Sequence, residues 1–446
     1  PEVRQDWAQY YDKVSEADAD AGARLRELEA DGLAADTIVF YFGDHGSGMP
    51  RSKRWPSNSG LHVPMVVYFP PKWRHLAPKE YQPGGKSDRL VSFVDLAPTV
   101  LSLAGLRPPA AMQGHAFAGP HQTAPQPFLF GGRGRMDERM DSVRSMTDGR
   151  FVYLRNFHPH VSQAQHVTYQ FVTPTTQVWR ARFDAGQTND AQSIFWRTPK
   201  APEELYDLQT DRDEVRNLAN SPEHRATLEK LRAALRTHLE QVRDVCLLPE
   251  GEMHARAAGG APYDLARDEK KYPFRRVYEA ADVASRLEPG AIPQLRTWLG
   301  DRDAAVRYWG ALGLFMRGAE TVQREQALLR RALADESPFV RIVAAEALAT
   351  HGPASGLNGA LAALRAAAPT ETNGVFAGMA ALNAIEALGP KAAPLHDFVR
   401  TVRTDAGYPN ARFDSYIPRL IENIVGVAGA TPAKSKGKGK KKASNP

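Results

Sequence analysis

The sequence predicts two structural classes in series, an α/β region followed by an all-α region. Three observations carry this expectation. Two short runs, 37–42 and 63–69, are almost continuously apolar, β-branched and aromatic, and each ends at a turn signal. They lie between two segments of helical periodicity, which gives the helix–strand–loop–strand–helix order of an α/β unit. Beyond Val277 the composition shifts to Ala- and Leu-rich helices, in which Val306, Val340 and Val375 stand 34 and 35 residues apart.

Over residues 5–33, Tyr10, Val14, Ala17, Ala21, Leu25 and Leu28 recur at three- and four-residue spacing among charged residues, predicting an amphipathic helix closed by Gly32. The run 37–42 stops at Gly43-Asp44-His45-Gly46. Apolar side chains at successive positions suit a strand covered on both faces. The second run closes on Pro70-Pro71, and a helix is expected over 92–103. Short strand candidates at 128–130 and 151–154 follow, among long polar connections. Residues 204–208, then Asp211, Glu214 and Asn217-Leu218-Ala219, read as a strand, a turn and a helix start. A strong helix covers 222–245, and the Gly-, Ala- and charge-rich stretch 251–275 is the expected linker. These boundaries divide the chain into 1–125, 126–250, a linker 251–275, a helical domain 276–430 and a disordered Lys-rich tail 431–446. The 34–35-residue spacing in the helical domain resembles a short HEAT-type array, with one irregular bundle as the alternative.

Composition sets limits on function. The chain has 446 residues, 42% hydrophobic and 24% charged, which fits two or three globular domains. Its net charge is +6, but six lysines (434, 436, 438, 440, 441 and 442) sit in the tail, so the remainder is electrically balanced. The tail lacks interleaved aromatics, and no nucleic-acid partner is expected. No apolar run approaches the ~18–20 residues of a bilayer span. Cys246 is the single cysteine, so no intrachain disulfide can form.

Chemistry concentrates between residues 37 and 64. Ligands of open α/β sheets bind beyond the carboxyl ends of strands, where Asp44 and His45 stand. Arg51, Lys53 and Arg54 follow within ten residues, before Ser59-Gly60-Leu61-His62-Val63-Pro64 leads into the second strand. A hard divalent cation would take the Asp44 oxygen, and the basic cluster would neutralise the remaining oxygens of a sulfate or phosphate. Taken singly, each motif also fits a solvated turn or loop. The run Arg133, Arg135, Asp137, Glu138 and Arg139 fits either a sugar pocket or a charged surface loop.

Several motifs, in this order, resemble the sulfatases of the alkaline-phosphatase superfamily. They are the strand ending in Asp44-His45-Gly46, the loop Lys53, and Gly60-Leu61-His62-Val63-Pro64. Asp95-Leu96-Ala97-Pro98-Thr99-Val100 with Gly105, and Met112-Gln113-Gly114, come next. Arg144-Ser145 with Phe151-Val152-Tyr153, and Glu204-Leu205-Tyr206-Asp207-Leu208 with Asp213-Glu214 and Asn217-Leu218, complete the set. The resemblance covers about residues 1–245. It implies a partial alkaline-phosphatase-like sulfatase core with its C-terminal subdomain, ahead of the all-α HEAT-like domain. It also implies hydrolysis of sulfate esters or sulfamates on sugars or polysaccharides, in the periplasm or outside the cell.

By the same resemblance, Asp44 and His45 would ligate calcium, His45 standing where many relatives have Asn. Lys53 would contact the sulfate, and Arg51 and Arg54 are assigned to sulfate or sugar on charge and position alone. Asn58 and His62 depart from the acid and arginine common in relatives. The family's nucleophile is a formylglycine made in a Cys/Ser-x-Pro-x-Arg motif, one hydroxyl of its hydrated aldehyde attacking sulfur. No such motif occurs here, and Cys246 lies in the wrong context, Val245-Cys246-Leu247. The chain begins at Pro1, about forty residues before Asp44, so the expectation is that the nucleophile-bearing part is missing and that this piece alone is inactive. The alternatives are a phosphodiesterase or phosphonate hydrolase of the same superfamily, and a non-catalytic interaction protein whose HEAT-like region binds a protein partner.

Overall fold

The computed structural model describes residues 1–405, 408 and 410–426; the Lys-rich stretch 431–446 lies outside the described residues. Helix α1 (Glu2–Ala30) ends where expected. Gly32 adopts φ 69°, and the amides of Gly32 and Leu33 close on the carbonyls of Glu29 and Leu28, the paired bonds of a left-handed C-terminal cap. The amphipathic stripe is not buried as expected: α1 buries no residue, and Val14 and Leu25 are exposed.

Strand β1 (Val39–Phe42) pairs antiparallel with β2 (Met65–Tyr68) in a two-stranded sheet, and α2 (Asn58–Leu61) lies in the loop between them. The expectation of strands covered on both faces fails. Phe40, Met65 and Val67 pack on Phe69, Phe117 and Ala118, whereas Tyr41, Val66 and Tyr68 are exposed. In β2 burial alternates along the strand, so only one face joins the core. Helix α3 (Leu96–Leu103) follows a 3-10 turn over Phe93–Asp95. Asp95 is buried and accepts from the Ser92 and His115 amides at 2.8 and 2.7 Å, and Thr99 accepts from the Phe117 amide at 3.1 Å. The Asp-Leu-Ala-Pro-Thr motif therefore fastens the 115–117 segment over the sheet.

Strands β3 (Leu129–Arg133), β4 (Val143–Thr147), β5 (Phe151–Asn156) and β6 (Glu203–Asp207) form a second, wholly antiparallel sheet in sequential order. Between β5 and β6 lie α4 (Thr168–Phe171), α5 (Pro174–Asp184) and α6 (Asp190–Ser193). Helix α1 meets α5, where Asp6 accepts from the Thr175 amide at 3.0 Å. Helix α7 (Arg225–Val242) buries Leu228, Leu231, Leu235 and Leu239, a 3–4 spacing that lays one stripe on β4 and β5.

The stretch expected as a linker carries helices α8 (Glu250–Ala257) and α9 (Pro262–Arg267), with Leu265, Ala266 and Tyr272 buried. The helical region continues through α10 (Phe274–Ser285), α11 (Ile292–Trp298), α12 (Ala304–Met316), α13 (Gly318–Arg324), α14 (Gln326–Ala332) and α15 (Pro338–His351). It closes with α16 (Leu357–Ala367), α17 (Thr370–Ala387), α18 (His396–Val399) and α19 (Tyr416–Val425). The Ala-rich α12, α15 and α17 are central, α15 packing on both of the others. Arg256 reaches Asp303 at 2.8 Å and Arg307 reaches Asp335 at 2.8 Å, so arginines bind the aspartates that precede α12 and α15.

One apolar core runs from β4, β5 and α7 into the helices. Trp309 is 1% exposed, lies beside Phe157 and His158, and donates from Nε1 to the Leu247 carbonyl at 2.9 Å. Arg155, also 1% exposed, donates to Asp282 and Ser285 of α10. Sheet and helices should therefore unfold together. Trp309→Ala is expected to cost about 3–5 kcal/mol and to leave a single denaturant transition, read by tryptophan fluorescence and far-UV dichroism. Two separate transitions would contradict this.

The same interface holds two histidines neutral. Burial drives His158 down to about 4 and His160 to about 3. The unfolded chain takes up these protons below about pH 6.5, whereas the folded chain waits until the pH is much lower. Stability is therefore fully present above pH 6.5 and is lost as the pH falls from there toward 4, by up to about 1.4 kcal/mol per pH unit for each histidine. Denaturation midpoints at pH 7 and pH 5 should differ less in His158→Gln than in the unaltered protein.

Candidate functional site

The loop between β1 and β2 is shaped by its glycines and by one tryptophan. Gly46 takes φ 69° just after Asp44 and His45. A Cβ on Gly60 would stand 2.0 Å from the Trp55 carbonyl oxygen and 2.4 Å from that of Ser52, so only glycine lets the loop fold back on itself there. Trp55 is buried, donates to the Gln163 carbonyl at 2.9 Å and packs on Phe195, anchoring the loop to the β5–β6 connection. Arg51 and Arg54 have φ of 67° and 90°, strained values for non-glycine residues that the anchored loop imposes.

Asp44 and His45 project into solvent side by side, Oδ2 and Nε2 3.1 Å apart. The Lys53 amide donates to the Ser47 carbonyl at 3.2 Å, which folds the Lys53 backbone against the stretch that follows Asp44 and His45. Arg54 pairs with Asp137 at 2.5 Å and lies over the Tyr169 ring at 4.5 Å, while the Lys53 ammonium stands 5.5 Å from the same ring. Arg51 donates to the Glu214 carbonyl at 3.3 Å. Among the described residues neither Lys53 nor Arg51 forms an ion pair, so within the cluster only Arg54 has a carboxylate partner.

Glu214, inside the C-terminal signature, is 1% exposed and accepts from the Asn58 and Ser59 amides at 2.9 and 3.4 Å. Burial pushes its carboxyl above the usual range, against the lowering effect of those two amides. A cavity of about 20 Å³ lies between Arg51, Trp55, Glu204 and Glu214. It has room for about one water molecule and none for a sugar.

Among the described residues no group of three or more His, Cys, Asp or Glu converges to hold a metal ion. Asp44 and His45 supply one carboxylate and one imidazole, and calcium takes six to eight oxygens. The Asp44 carboxylate suits calcium by donor type, but the pair leaves the shell far from complete. Four charges of the 133–139 run are held in ion pairs, Arg135 with Glu250, Asp137 with Arg54, Glu138 with Arg419 and Arg139 with Glu386, while Arg133 lies buried over the Trp55 ring. Burial and the Asp244 carboxylate push the Cys246 thiol up to about 11, the opposite of a nucleophile's activation.

Sequence reasoning missed Trp55 and Tyr169, and it named Asp137 only within the 133–139 run, not as the partner of Arg54. Trp55 left a signal, a large apolar side chain inside a basic loop. The contacts of Asp137 and Tyr169 with Arg54 left none, since each meets the loop from more than eighty residues away.

Residues 2–106 match the family model described as Sulfatase. An ulvan-active sulfatase of Formosa agariphila is 38% identical over 251 residues, covering 56% of this chain and 41% of that protein. A delta 4,5-hexuronate-2-O-sulfatase of Bacteroides thetaiotaomicron is 25% identical over 245 residues, covering 53% and 41%. A solved structure of a protein in complex with its substrate D-glucosamine-2-N,6-O-disulfate superposes with a TM-score of 0.34 at 17% identity, over 51% of this chain and 39% of that one, too loosely to carry an inference. The chain thus spans about two fifths of the length of these curated relatives. By sequence it is similar to sulfatases over about half its length, and the matched segment 2–106 is the one that bears Asp44, His45 and Lys53.

Proposed function

We propose that this chain forms part of a sulfatase that hydrolyses sulfate esters, or sulfamates, on sugars or polysaccharides. The observation that carries the reading is the β1–β2 loop, in which the Lys53 backbone folds back onto Ser47, two residues from the exposed Asp44–His45 pair, and Lys53 makes no ion pair among the described residues. The sulfatase match over this segment supports the reaction, and the relatives' names support a sulfated carbohydrate as substrate.

In this reading Asp44 and His45 supply two ligands of a calcium ion whose other donors come from outside the described residues. When bound, the ion would withdraw charge from the sulfate oxygens. Lys53 holds its ammonium against a sulfate oxygen or the leaving ester oxygen, stabilising the charge that builds there as the S–O bond breaks. Arg54, fixed by Asp137, and Arg51 border the sulfate or the sugar. The nucleophile is a formylglycine contributed from outside these 446 residues, none of which form a Cys/Ser-x-Pro-x-Arg motif. The reading places the enzyme in the periplasm or outside the cell. The helices from 276 onward serve it as a HEAT-type structural or docking array, a reading favoured by the arginine–aspartate pairs that recur ahead of α12 and α15.

In the enzyme that contains this chain, Lys53→Ala is expected to lower kcat for sulfate release from a sulfated glycan by about 10²- to 10³-fold. Unchanged release would remove Lys53 from the reaction, and faster turnover of a phosphodiester than of the sulfate ester would favour the phosphodiesterase alternative. Asp44→Asn, which removes one anionic oxygen donor, is expected to weaken calcium binding by about tenfold or more in calorimetric titration.

A further inference from the structure

The tight turn at residues 136–139 stands between the cationic loop and the last helices. Met136 and Arg139 exchange backbone hydrogen bonds of 2.7 and 3.0 Å, and Asp137 takes φ 49° at the tip. On one side the turn reaches the site. Asp137 holds Arg54 at 2.5 Å, and Glu138 Oε1 accepts from the Thr168 amide at 2.8 Å, at the start of the short helix that carries Tyr169. Arg139 Nε donates to the His166 carbonyl at 2.5 Å, fixing the approach to that helix. One turn therefore sets both the Arg54 guanidinium and the aromatic ring that Arg54 and Lys53 share.

On its other side the turn is gripped by α17 and α19. Arg139 donates to Asn383 at 2.7 Å and to Glu386 at 2.8 Å, and Asn383 donates back to the Glu138 carbonyl at 2.9 Å. Arg419 reaches Glu138 Oε2 at 3.2 Å, and Asn423 bonds the His166 ring at 3.1 Å. Glu138 is 1% exposed and Arg139 5%. Charges buried to this degree are held only where their partners are in place, and they tolerate little displacement.

We propose that α17 and α19 position the cationic loop, with Asp137 and Glu138 as positioning residues for Arg54 and Tyr169 and, through that ring, for Lys53. The proposal rests on the reading of this loop as an oxyanion site and gives the C-terminal helices a role in it. The catalytic geometry would then depend on side chains some 250 residues further along the chain.

The test uses the full chain, with inorganic sulfate as probe. Glu386→Ala is expected to weaken sulfate binding about fivefold in calorimetric titration and to speed amide exchange at residues 166–171 by a similar factor. Glu386→Gln, which keeps an acceptor for Arg139, should recover most of both. In an Arg54→Ala background Glu386→Ala should bring a smaller further loss of affinity, the part carried through Tyr169 to Lys53. An equal loss in that background would overturn the proposed route, and unchanged exchange in a folded variant would overturn the positioning itself. Should Glu386→Ala fail to fold, Arg419→Gln at the partly exposed rim answers the same question. If the unaltered chain binds no sulfate, the oxyanion reading falls, while the exchange data still decide whether the helices hold the loop.

Discussion

Trp309, Phe157, Tyr153 and Leu231 are almost fully buried in a single apolar core, although they come from a helix of the C-terminal region, the end of β5, its middle and α7. Burying that much aromatic and aliphatic surface is the main favourable term in the fold. It also dictates where the second sheet must sit, because the inward side chains of β4 and β5 meet α7 and the helices beyond it within one dry volume. The basic loop is bolted to the outer side of this sheet through Trp55, so its position follows from a core it does not itself enter.

Several charged groups taken into this interior are paired. Lys200 and Asp141 pair at 2.6 Å with side chains 2% and 0% exposed, and Arg144 and Asp244 pair at 2.5 Å with 3% and 10%. Such pairs add little net stability, since desolvation offsets most of the attraction. Their effect is on geometry, because a displaced partner would leave a bare charge in a medium that cannot solvate it. Arg139 and Glu138 work in this way where the sheet, the α4 segment and α17 meet.

The loop's electrostatics follow from the same economy of partners. Arg54 is neutralised by Asp137 and Arg51 is directed at a backbone carbonyl, while the Lys53 ammonium stands 5.5 Å from the Tyr169 ring and makes no ion pair among the described residues.

Much of this organisation was legible in the chain itself. Hydrophobic period and turn residues located α1, β1, β2, α3, β5, β6 and α7, because local sterics and one-sided burial leave a periodic trace in sequence. The Asp44–His45 pair and the Arg51–Lys53–Arg54 cluster were visible for the same reason: they lie within eleven residues and share one loop. Tertiary packing decided the rest. It placed only one face of β1 and β2 against the core, turned the expected linker into α8 and α9, and spent the charges at 135–139 on distant partners. Those outcomes depend on which surfaces meet in space, as when Asp137 finds Arg54 and Arg139 finds Glu386, and contacts between residues so far apart leave no mark on the local pattern of either segment.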